Sequence, residues 1–73
     1  MEQHGVCLFY STSAAIRCEK ETKKAGLEVK LIPVPRHLSS DCGSCLRFLL
    51  KDRETVKTIL SEKNIEYNSI HTL

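Results

Sequence analysis

The residues best suited to chemistry lie in one short stretch, Arg36-His37-Leu38-Ser39-Ser40-Asp41-Cys42-Gly43-Ser44-Cys45-Leu46-Arg47. It holds two of the chain's four cysteines, one of its three glycines, a histidine and two arginines. A cysteine attacks only as its thiolate. A free thiol has a pKa of about 8.5, so only a few per cent is ionised at neutral pH. Making the thiolate dominant takes about two pH units, or roughly 2.7 kcal/mol. One exposed helix end or nearby charge contributes about 0.3–1 kcal/mol. Arg36, Arg47 and several backbone N–H groups must therefore converge on one sulfur. Ser39, Ser40 and Asp41 favour Asx-type and ST-type turns. Such turns leave N–H groups directed outward, in a nest that favours an anion, a thiolate included. Gly43 lets the backbone turn back close to Cys42. Asp41 opposes ionisation if its carboxylate faces the sulfur.

Two other chemistries use the same residues. Cys42-Gly43-Ser44-Cys45 is a Cys-x-x-Cys pair, in which Cys42 attacks and Cys45 resolves a mixed disulfide. The usual setting of that pair is a helix start after a strand, whereas here it falls in a loop. The spacing also suits zinc, with His37 nearby, and His4 or His71 or a second subunit as further sources. A second Cys-x-x-Cys is missing, so no resident metal and no cofactor are expected. Cys7 and Cys18 lie in an apolar run and a helical segment, and are read as small buried fillers. A structural or interaction domain with incidental cysteines is the plainest alternative.

Composition narrows the classes. The chain has 73 residues, enough for one domain over 1–73. Its net charge is only +2, from 11 Lys+Arg against 9 Asp+Glu, too weak a basic bias for a nucleic-acid binder. No apolar run approaches the ~20 residues of a membrane helix. Met1-Glu2-Gln3-His4-Gly5 shows no basic segment followed by an apolar one, so a cytoplasmic chain with reduced thiols is expected.

The loop needs elements to hold it. Val6 to Tyr10 predicts a buried strand. Ser11-Thr12-Ser13 supplies N-caps for a helix over Ala14–Lys24. Ala15, Cys18, Thr22 and Ala25 make a small-residue stripe suited to close approach to a sheet. Gly26 stops that helix, with Lys23 and Lys24 at the negative end of its dipole. Leu27 to Val34 predicts a second strand. Pro33 and Pro35 cannot donate to a ladder, which places this strand at an edge. A loop over Arg36–Cys45 leads to a third strand, Leu46–Leu50. Asp52 caps a second helix, Arg53–Lys63, with an apolar stripe of Val56, Ile59 and Leu60. Asn64 ends it in the left-handed region. Glu66 to Leu73 is the last strand. The order β-α-β-β-α-β predicts an α+β, ferredoxin-like fold, a four-stranded antiparallel sheet with two helices on one face. Strands one and three are then central. The opposite face is solvated, or pairs a homodimer through Phe9 or Tyr10.

The chain resembles the Se/S carrier-like proteins, a family of short prokaryotic proteins, over nearly its whole length. Phe9-Tyr10-Ser11-Thr12 is similar to the family's first strand and turn, and Glu19-Lys20 with Ala25-Gly26 to its first helix and stop. Its signature is matched by Ile32-Pro33, Pro35-Arg36, Ser39-Ser40-Asp41-Cys42-Gly43 and Leu46-Arg47-Phe48. Cys45 and Cys18 depart from the family pattern. The resemblance implies a carrier rather than a catalyst. Cys42 would hold sulfur or selenium as a persulfide or selenosulfide, between donor and acceptor proteins. Arg36 and Arg47 would stabilise negative charge, and Ser39, Ser40 and Gly43 would shape the loop.

Overall fold

A computed structural model describes residues 3–35, 38 and 43–73. Arg36, His37, Ser39, Ser40, Asp41 and Cys42, with residues 1 and 2, lie outside the described residues.

The first apolar run forms strand β1, His4–Leu8, two residues earlier than its apolar content suggests. His4 and Gly5 join because partners await them. His4 pairs with Leu49, and Gly5 pairs with Phe48 on one side and Thr72 on the other. Helix α1, Thr12–Lys24, starts directly after Ser11, whose hydroxyl accepts from the Ala14 N–H at 3.2 Å. Ala15, Cys18 and Thr22 are fully buried, as the small-residue stripe requires. The Thr22 hydroxyl donates to the Cys18 carbonyl at 2.8 Å, so its burial leaves no polar group unmet. Ala25 leaves the stripe; it caps the helix and is exposed. Gly26 follows at φ +82°, a conformation costly for any residue with a Cβ.

Strand β2 is Val29–Pro33, and strand β3 is Ser44–Leu49. A 3₁₀ turn, Leu50–Asp52, leads into helix α2, Arg53–Glu62. Asp52 holds the N-cap position but its side chain makes no capping bond, a correction to its expected role. The preceding 3₁₀ turn supplies the entry instead. Asn64 ends the second helical segment at φ 53°. Strand β4, Ser69–Thr72, is half the expected length.

The four strands form one antiparallel sheet in the order β2-β3-β1-β4, an α+β fold. The two central strands are β1 and β3, and proline-bearing β2 is an edge. The two helices touch each other and cover one face of the sheet. Cys7, Phe9, Leu46 and Phe48 meet Ala15, Cys18, Val56, Leu60 and Ile65 there. Gly5 makes room for the Phe48 ring. A Cβ on Gly5 would stand 2.8 Å from the ring's Cζ, inside any tolerable contact.

The opposite face carries its own small apolar cluster. Val6, Leu8 and Cys45 are buried there, with Ile32, Val34 and Leu38 packed against them. Phe9, expected as a candidate for this face, belongs to the helix-side core instead. Successive strand residues alternate sides, and Phe9 shares the parity of Cys7. Tyr10 is exposed beyond the end of β1.

Candidate functional site

Three of the four thiols are sealed in. Cys7, Cys18 and Cys45 each have 0% of their surface exposed. Burial raises the Cys7 pKa far above the ordinary thiol range, and the neighbouring Cys18 and Cys45 thiols add to the rise. Cys18 is pushed up to about 12 by burial alone. Both stay protonated at neutral pH, so neither is a nucleophile. Their role is that of small apolar fillers between α1 and the sheet.

Cys45 is placed differently from expectation. Its sequence neighbourhood suggests a loop, yet Ser44 and Cys45 open β3 and pair with Pro33 and Ile32. Cys45 also faces Leu8 across β1. Its sulfur lies 3.9 Å from the Pro33 carbonyl oxygen, within the cluster on the helix-free face. The second thiol of the Cys-x-x-Cys pair therefore sits inside a strand. Exposing it requires the start of β3 to open.

The loop that carries Cys42 is anchored at both ends. The Val34 N–H donates to the Gly43 carbonyl at 3.3 Å, continuing the β2–β3 register by one step. Leu38 is tied back by its N–H to the Pro35 carbonyl at 3.0 Å, and its side chain packs on the Val6–Leu8–Cys45 cluster. Pro33 and Pro35 add fixed φ angles at the exit of β2. Gly43 is exposed, and nothing stands within 4 Å of where its Cβ would project, so crowding does not require glycine there. The expected site residues Arg36, Ser39, Ser40, Asp41 and Cys42 lie outside the described residues, as does His37.

Arg47 is among the described residues. It stands on β3 opposite Val6 of β1 and Lys30 of β2. Arg47 stands three residues along β3 from Ser44, about 10 Å at the usual rise. The half-buried Arg47 lines a cavity of about 220 Å³ with His4, Glu28, Val29 and Lys30. His4 and Lys30 carry no motif, and only strand register reveals them as its neighbours. His71, weighed as a metal ligand, shares a 2.8 Å hydrogen bond with the Ser69 hydroxyl. Among the described residues no three His, Cys, Asp or Glu side chains are grouped to hold a metal ion. No helix among them is long and apolar enough to cross a membrane.

Comparison with known proteins places this arrangement. The family model described as "Putative Se/S carrier protein-like" matches residues 4–72. No curated protein and no solved structure matches the chain.

Proposed function

The chain belongs to the Se/S carrier-like family, and from that premise we propose that it carries sulfur or selenium on Cys42 between partner proteins. The observation that supports this reading is the burial of the other three thiols. Family membership calls for a chalcogen-bearing residue, and Cys7, Cys18 and Cys45 have no surface at which a partner could reach them.

The chemistry is an exchange without net oxidation. The Cys42 thiolate attacks the outer sulfur of a donor persulfide, R–S–SH. The new bond is Cys42 S–S, the bond broken is the donor's S–S, and the donor leaves as its thiolate. In the second step an acceptor thiolate attacks the outer sulfur now on Cys42, and the Cys42 thiolate departs. The same two displacements apply with selenium as the outer atom. In this reading Arg36 and Arg47 stabilise the negative charge that each step releases, and Ser39, Ser40, Asp41 and Gly43 serve to bind the loop's cargo. Cys45 acts as a resolving thiol only when β3 opens at its first residues.

The fold suits such a relay. We read the strand order as the ferredoxin-like split arrangement, in which β2 and β3 are joined by a connection at one end of the sheet. A rigid sheet lets that connection present one residue without moving the core. The reaction belongs to a reducing cytoplasm, where thiols are available.

The test is sulfur loading. Wild-type protein is incubated with a cysteine desulfurase and cysteine, then examined by intact mass spectrometry. The reading expects a gain of one sulfur atom that disappears on adding an acceptor thiol, and no gain in Cys42→Ser. A gain that persists in Cys42→Ser removes Cys42 from the role.

A further inference from the structure

Lys30 and Arg47 are direct cross-strand partners on β2 and β3. Like charges placed opposite one another on neighbouring strands destabilise the pair. Among the described residues neither cation has an ion-pair partner to relieve this. Arg47 is also half-buried, which makes an uncompensated charge more costly than at a fully wet position. Local conflicts of this kind concentrate where a protein binds something.

The surroundings say what would relieve it. Val6 pairs with Arg47 and His4 with Leu49, so His4 is the diagonal neighbour of Arg47 on the same face. The three side chains line one concave cavity of about 220 Å³, below the usual range for organic ligands. Arg47 offers a planar fork of donors, Lys30 a point charge and His4 a ring N–H. Glu28 lies on the same wall and is exposed. Its carboxylate opposes an anion there.

From this cross-strand cation pair and its cavity we propose a binding site for a small inorganic tetrahedral oxyanion of the phosphate or sulfate class. Arg47 and Lys30 hold the anion between them, His4 donates from the β1 side, and Glu28 keeps the affinity modest. The proposal does not rest on the carrier reading, and its failure leaves that reading untouched.

The experiment is an NMR titration of the full chain at fixed ionic strength, with inorganic phosphate, inorganic sulfate and a nucleoside monophosphate as probes. Saturable shifts at Lys30, Arg47 and His4 are expected with phosphate or sulfate. Arg47→Gln should weaken binding about tenfold or more, as loss of charged hydrogen bonds does. Glu28→Gln, at an exposed position, should tighten binding by a few fold. Linear shifts without saturation would overturn the site, as would a response unchanged in Arg47→Gln. Binding unchanged or weaker in Glu28→Gln would mean that the anion does not sit beside Glu28, and would overturn the cavity as its site. Tighter binding of the nucleoside monophosphate than of phosphate would overturn the restriction to a free inorganic ion.

Discussion

The buried thiol of Cys18 should make the fold sensitive to alkali in a measurable way. In the folded protein its pKa is pushed up to about 12, against an ordinary value of 9.0. The unfolded chain therefore ionises Cys18 first, while the native state keeps the proton. The native state binds more protons than the unfolded one between those values, so stability falls as pH rises. At pH 8 the two states are almost equally protonated at this residue, and the contribution is intact. At pH 10, at least a unit above the value of a free thiol, Cys18 has cost the fold on the order of 1–2 kcal/mol. That is a large share of the roughly 5 kcal/mol available to a small domain. The assay is urea unfolding of wild type and Cys18→Ala at pH 8, 9 and 10. Cys18→Ala introduces a pH-independent offset from lost packing. Against that offset, the gap should shift in favour of the variant by roughly 1–2 kcal/mol from pH 8 to pH 10. A gap constant with pH would show that Cys18 titrates normally in the native state, and that the burial argument for the thiols is wrong.

Other substitutions test the frame around the site. Gly5→Ala places a methyl 2.8 and 2.9 Å from two atoms of the buried Phe48 ring and 3.2 Å from the His71 carbonyl oxygen. A loss of about 1–3 kcal/mol is expected by urea unfolding, and an unchanged midpoint would mean the ring moves freely. Ser11→Ala removes the cap on the Ala14 N–H and should cost about 1 kcal/mol in the same assay. Leu38→Ala thins the cover over the Val6–Leu8–Cys45 cluster and should speed alkylation of Cys45 by iodoacetamide while leaving Cys18 protected. Equal rates for Cys45 in variant and wild type would show that Leu38 does not shield it.

Much of the frame is legible in local chemistry. Ser11, Gly26 and Asn64 mark helix ends because each does something that few residues do: accept an amide hydrogen or tolerate a positive φ. Pro33 marks an edge strand because it lacks an N–H. Strand limits are less legible, because they depend on partners. His4, Gly5, Ser44 and Cys45 have little strand character of their own and extend only because the facing strands pair with them. This displaces Cys45 from the loop into the sheet. Arg47 lines a cavity with Lys30 and His4, distant from it in sequence and joined to it only by register. The Gly5–Phe48 contact is invisible for the same reason.

The carrier account rests on one thiol being available while three are not. Native protein at neutral pH, given less iodoacetamide than total thiol and mapped by peptide mass spectrometry, tests this directly. The account predicts that label collects on Cys42, with Cys7, Cys18 and Cys45 modified only after denaturation. Label on Cys45 or Cys18 at a rate matching that of Cys42 would contradict it.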